Sequence, residues 1–325
     1  MRYAQFWAVF SFYTMSKTDY NKAPKDIEGQ IALLKERNLI IPDESKAAKV
    51  LANISYNRLS NYWYPLLADP KEDEIFKDGA NFENIFHIYQ FDSELRVLVF
   101  YAIEQIEIAF RSQLIYHLSI EHNSGFWYEN AKLFKSYPSY VSFLDKICTS
   151  VQNTKQVFIQ KYKTKYNQYL PPSWKSFELI SFTALFGVYK NLKENSSKRP
   201  INTHFGLHHN VFISWMETLV YIRNICAHHS RLWNIVLTKT PVWVRSPRKD
   251  WVSRWENEET ETNDKKLKMY AVCCLLTYLL DHINPYHKFR PRLTALLEQF
   301  ENDVDIAQMG FPDNWKDEPL WKTED

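Results

Sequence analysis

The sequence predicts an all-α protein, a multi-helix bundle with an N-terminal helical extension and a long basic loop. Three observations carry this. Apolar residues recur at three- and four-residue spacing wherever Pro, Asn or Ser does not interrupt them. No run alternates apolar and polar residues in the way a half-buried strand requires. Six glycines serve 325 residues, few for the strained, phosphate-cradling loops of Rossmann and P-loop domains, so a nucleotide-binding α/β enzyme is disfavoured.

Taken in order, the chain begins MRYAQFWAVFSFYTM. Its apolar stretch falls well short of the ~20 residues that span a bilayer. Met15 opens an ordinary polar N-terminus, so residues 1–20 read as an extension from an upstream start codon. Residues 21–80 form the N-terminal helical subdomain. In it, DIEGQIALLKERNLI places Ile27, Ile31, Leu34 and Leu39 close to one face, and Asp43 or Ser45 can cap DESKAAKVLANI. The aromatic stretch SYNRLSNYWYPLL and the acidic loop ADPKEDEIFKDGA follow.

Residues 81–310 read as the helical core. Its first helix, Phe82 to Leu118, carries Leu95, Leu98, Val99, Ile103, Ile106 and Phe110 at helical spacing, with Glu104, Glu107 and Arg111 on another face. These three are either a solvated, ion-paired face or a support for a site elsewhere. Tyr137 to Gln168 gives one or two helices. Ser173 can cap an amphipathic helix over SWKSFELISFTALFGVYKNL, and KENSSKRP reads as a polar linker. Next comes VFISWMETLVYIRNICAHHSRLWNIV, read as one helix over 211–235. A long loop, then the helices NDKKLKMYAVCCLLTYLLDHI and PRLTALLEQF, lead to the C-terminal tail, 311–325.

Forty Lys and Arg against thirty-eight Asp and Glu leave a formal charge of +2, too balanced to argue for nucleic acid from the whole molecule. Any basic surface must be local. Cys148, Cys226, Cys273 and Cys274 contain no C-x-x-C pair, so a reducing, cytoplasmic location without disulfides or a zinc ribbon is expected. No membrane partner is expected either.

A helix over 211–235 puts Phe212, Trp215, Leu219, Ile222 and Cys226 on a buried stripe. A second stripe, Glu217, Tyr221, Asn224, His228 and Arg231, consists of groups that donate, accept or carry protons, and Arg223 lies beside it. Three readings compete. A buried polar network is one, although two cations, a carboxylate and an imidazole are expensive to bury for structure alone. Another is a metal site drawn from His204, His208, His209, His228 and His229, for which the spacing fixes no third ligand. The last is acid/base chemistry on a phosphodiester, with imidazole moving protons near neutral pH and guanidinium stabilising charge on phosphate.

The segment RNICAH resembles the R-x4-H signature of HEPN domains, helical bundles that include many metal-independent ribonucleases. More closely, the chain resembles the abortive infection (Abi) proteins, the AbiD/AbiF-like group (Abi_2 family). The likeness rests on ISYNRLSNYWYP at 54–65, IYQFDSELR at 88–96, IEQIEIAFRSQL at 103–114, LPPSW at 170–174, RNICAHHSRLWN at 223–234 and GFPDNW at 310–315. It implies a bundle of HEPN type and an endoribonuclease with Arg223, Asn224 and His228 as catalytic residues and no metal or cofactor. His229 and Arg231 belong to the same block. Since HEPN ribonucleases face two such motifs across one site and this chain has one, the resemblance implies a homodimer. RNA is the implied substrate, and a cognate small noncoding RNA a further partner. The alternative is a catalytically silent protein that grips RNA with the same residues.

Following the motif, KTPVWVRSPRKDWVSRW interleaves Lys239, Arg245, Arg248, Lys249 and Arg254 with Trp243, Trp251 and Trp255. Basic groups that track phosphates, mixed with rings on which bases stack, form the usual composition of a single-strand binding surface. The competing reading is a solvated loop whose tryptophans turn into the core.

Overall fold

The structure is a computed structural model that describes residue 19 and residues 22–194, 196–253 and 268–322. The expected extension over 1–20 lies outside the described residues apart from Asp19, and Arg254 and Trp255 lie outside them too. Among the described residues the secondary structure is helical, with isolated bridge pairs but no strand. The all-α expectation holds. Among the described residues, no helix is long and apolar enough to cross a membrane.

The chain forms two compact units, Met1–Phe82 and Glu83–Asp325. In the first, α1 (Ile27–Glu36) starts where the Asp26 carboxylate accepts the Gly29 N–H at 2.7 Å, and α2 (Glu44–Ile54) where Asp43 accepts the Lys46 N–H at 2.9 Å. Both caps satisfy N–H groups that a helix start leaves without partners. After α3 (Tyr56–Trp63), the Trp63 ring packs edge-on against Tyr56 and Phe76, over a core that includes Leu34, Ala47 and Leu59.

The second unit is organised by α4 (Phe82–Glu121), 40 residues long. α5 (Tyr137–Asn153) and α6 (Val157–Lys165) follow as the periodicity predicts. The helix expected over 173–192 is instead broken into α7 (Ser173–Ser176), a 3-10 turn and α8 (Phe182–Asn191). Ile180 is extended there, and its carbonyl accepts from the Arg111 guanidinium at 3.2 Å. Ser181, not Ser173, then caps α8. Part of the expected linker forms α9 (Lys198–His204), which leads into α10 (His209–Ala227).

Phe110 of α4 sits among Phe182, Phe186 and Tyr189 of α8 and Phe212 of α10, with ring centroids 5.6–6.4 Å apart. Edge-on and tilted aromatic pairs of this kind add stabilisation beyond the burial itself. α11 (Met269–Ile283) is buried on all sides from Met269 to Leu280, as a helix apolar all round must be. It is followed by α12 (Phe289–Gln299). The described part of the C-terminal tail packs on this unit: Phe311 and Trp321 lie against Tyr270 of α11, and the Trp321 Nε1–H donates to the Tyr270 hydroxyl at 3.2 Å.

Candidate functional site

Helix α10 carries the R-x4-H motif at its C-terminal end, and the helix stops sooner than its periodicity predicts. It ends at Ala227 with His228 as C-cap. The His229 N–H donates to the Cys226 carbonyl at 3.1 Å and the Ser230 N–H to the Ile225 carbonyl at 3.0 Å. That pair of bonds is a Schellman termination, which needs a left-handed residue just past the cap. His229 fills the position at φ 55°, where glycine is usual. The stripe expected over 217–231 is therefore shortened: Glu217, Tyr221 and Asn224 lie on the helix, His228 at its end, and Arg231 on the turn beyond.

What holds that turn comes from α4. Asp92 is fully buried, and one of its carboxylate oxygens accepts the backbone N–H groups of Leu232, at 3.0 Å, and of Trp233. Its other oxygen pairs with Arg96, one helical turn on and 7% exposed. A buried carboxylate is tolerable when both its charge and its lone pairs are matched, as they are here. Asp92 and Arg96 lie within IYQFDSELR, yet periodicity assigns them no role. Their one visible signal is an acid and a base four residues apart among apolar neighbours. Cys226 lies close to this pair, and burial pushes its thiol up to about 12, which makes it an inert core group.

Arg223 is half-buried, with its guanidinium carbon 5.9 Å from the centroid of the Phe100 ring of α4. This lies within cation–π range. Its Nε is buried and has no hydrogen-bond partner. Asn224 is half-buried, and its carbonyl accepts the His228 N–H at 3.0 Å. His228 and His229 are exposed. One end of α10 thus presents a half-buried guanidinium, an amide and two solvent-accessible imidazoles.

Other expected supports lie elsewhere. Arg111 binds Glu107 at 2.7 Å, the Ile180 carbonyl and, at 3.6 Å, Glu178. Glu107 and Arg111 therefore brace the break before α8 and do not support the motif, while Glu104 is exposed. α4 and α10 run antiparallel, Phe100 lying by Arg223 and Phe110 by Phe212. Arg111 is consequently about three turns from Arg223 along the helices.

The histidines do not converge as a metal site would require. His209 starts α10 and His228 follows its last residue, ends separated by about 27 Å at 1.5 Å per residue. The His204 ring packs on Phe205.

The basic loop divides into two parts. Lys239, Arg245, Arg248 and Lys249 are exposed. Trp251, expected as a stacking platform, is 6% exposed and stacks on Trp215 of α10 with centroids 5.4 Å apart. Its faces are already used by the core, so it offers none to a base. The loop is also tied down by its backbone: the Trp215 Nε1–H donates to the Val242 carbonyl at 2.7 Å, and the Arg248 N–H to the Tyr278 hydroxyl at 3.1 Å. Lys239 borders a cavity of about 240 Å³ that Glu217, Thr218, Tyr221 and Thr238 also line, so part of the polar stripe and one basic residue of the loop do meet. The Lys249 ammonium donates to the Asp281 carbonyl at 2.5 Å, away from that cavity.

A family model described as Abi-like protein matches residues 49–234, more than half of the chain. The match includes Asp92, Arg96 and Arg223 through Asn234. No curated protein and no solved structure matches the chain.

Proposed function

Because this chain belongs to the Abi-like protein family, and so to the abortive infection proteins of phage defence, we propose that it is a metal-independent endoribonuclease of HEPN type. Two copies of the R-x4-H motif, one from each subunit of a homodimer, would make the site. The observation that carries this reading is the end of α10, where a half-buried arginine with an unsatisfied Nε lies within one turn and a half of an exposed histidine. An arginine held that way is poorly compensated until an anion arrives.

In the proposed reaction the ribose 2′-oxygen bonds to phosphorus as the bond to the 5′-oxygen breaks, which restricts cleavage to RNA. One His228 takes the hydroxyl proton and its twin supplies a proton to the leaving oxygen. Arg223 holds the non-bridging oxygens through its planar fork. Asn224 positions the turn that bears His228. Exposed Val97 and Phe100 on α4 support the dimer, since they set apolar surface beside Arg223, where a second copy would approach. Lys239, Arg245 and Arg248 would lead the strand in by pairing with its phosphates.

The test is cleavage of labelled single-stranded RNA in EDTA by wild type, Arg223→Ala and His228→Ala, with end-group analysis. Cyclic phosphate ends made by wild type and lost by about 100-fold or more in both variants are expected. Salt-sensitive binding with no cleavage under any condition would make the protein a silent RNA binder instead.

A further inference from the structure

At the opposite end of α10 from the motif, a cavity of about 310 Å³ is lined by Lys135, Lys190, Lys198, His209, Asn210 and Ile213. Three lysines line it: Lys135 and Lys198 share the Glu194 carboxylate, and Lys190 comes from α8. The Glu194 carboxylate, 3.2 Å from Lys135 and 3.1 Å from Lys198, and the Glu217 carboxylate, 2.9 Å from Lys190, are absent from the lining. Three lysines against two carboxylates leave an excess of positive charge, and the lining itself carries no acid.

The cluster is built rather than fortuitous. The side chain of Lys198 is 4% exposed, its ammonium donates to the Leu192 carbonyl at 2.7 Å, and it lies 5.3 Å from the Tyr189 ring centroid. Backbone bonds fix Lys135 beside it: the Lys135 N–H donates to the Asn191 carbonyl at 2.7 Å and the Lys193 N–H to the Leu133 carbonyl at 2.8 Å. His209 is held at Nδ1 by its neighbours. The Tyr189 hydroxyl donates to Asn202 Oδ1 at 2.6 Å, which turns the Asn202 amide nitrogen toward His209 Nδ1, 3.2 Å away. The Tyr189 hydroxyl also lies 3.3 Å from Nδ1, so two polar groups hold that edge of the His209 ring. The first turn of α10 also has no side-chain cap, so its N–H groups add partial positive charge at the same place.

We propose that this cavity binds a phosphate group, held by Lys135, Lys190, Lys198 and His209. It does not include the R-x4-H motif, whose Arg223 lies about 21 Å from His209 along α10, and does not depend on that motif's chemistry. The volume admits a phosphate with several waters, each of which occupies about 30 Å³. The phosphate can come from an RNA backbone or from a free phosphate ion.

The test uses the full chain and inorganic phosphate as probe, by calorimetric titration at low salt. Lys135→Gln/Lys190→Gln changes two half-exposed side chains and leaves buried Lys198 in place; Lys316→Gln is the control, and circular dichroism checks the fold. One phosphate per chain, weakened about tenfold or more in the double variant and unchanged in the control, is expected when two charge-assisted hydrogen bonds are removed. If the source is RNA, the salt slope of single-strand binding falls by about 0.7 for each backbone phosphate that the double variant no longer neutralises. An unchanged RNA slope beside weakened phosphate binding assigns the site to the free ion. Absence of phosphate binding to wild type at millimolar concentration, or equal binding by wild type and a folded double variant, overturns the proposal.

Discussion

Replacing Asp92 by alanine should destabilise the second unit more than any other single change at the motif. The residue is fully buried, pairs with Arg96 and accepts the N–H groups of Leu232 and Trp233. Breaking a buried ion pair by removing one partner costs about 3–5 kcal/mol, because the other charge stays buried. Two backbone donors left unsatisfied would add about 1–3 kcal/mol each if nothing relaxed. Partial relaxation of the turn makes about 4–6 kcal/mol a reasonable total, a large share of the 5–15 kcal/mol that typically holds a domain folded. Urea unfolding followed by far-UV circular dichroism should show the midpoint falling by about 1.5 M or more. Arg96→Ala should cost less, since Asp92 keeps its two backbone donors. The double variant should be less unstable than the sum of the singles, with a coupling of about 1.5–3 kcal/mol. A loss under about 1 kcal/mol for Asp92→Ala, or additive single changes, would refute the assignment of Asp92 as the anchor of the turn after His228.

Three further outcomes are expected. Gly206 has φ 69°, and an added Cβ would lie 2.0 Å from the His282 ring, so Gly206→Ala should cost about 2–4 kcal/mol, measured by the same unfolding curves. Burial lowers the pKa of His117, His204, His209 and His282. In the unfolded chain these rings protonate near pH 6.5 while the folded protein resists. Their stabilisation is therefore complete above about pH 6.5 and is lost as pH falls toward their depressed values, by at most about 1.4 kcal/mol per pH unit for half-buried His282 and by much less for exposed His204; denaturation midpoints from pH 7.5 to 5 measure it, and His282→Gln should flatten the slope. Arg223→Lys keeps the charge but loses the planar fork, so RNA cleavage should fall by about 100-fold while the salt slope of binding is unchanged, which paired cleavage and binding assays would show.

The determinants that reside in neighbouring residues were legible in the sequence alone. Asp43 caps its helix, the apolar face of the chain from Phe82 onward makes one long helix, and Arg223 and His228 stand five residues apart near the end of another. Helix periodicity and capping act over three or four residues, so sequence spacing is enough to read them. Tertiary structure decided the rest. Nothing in HHSRLWN announces the end of α10, because His229 takes the left-handed position that glycine would have marked. Asp92 reaches Leu232 across 140 positions of sequence, and Arg111 captures the Ile180 carbonyl across 69. Trp251 looks the same in sequence whether it faces solvent or stacks on Trp215. Burial of a charge or a ring is set by partners brought from far along the chain, and only the packed molecule shows which of them arrive.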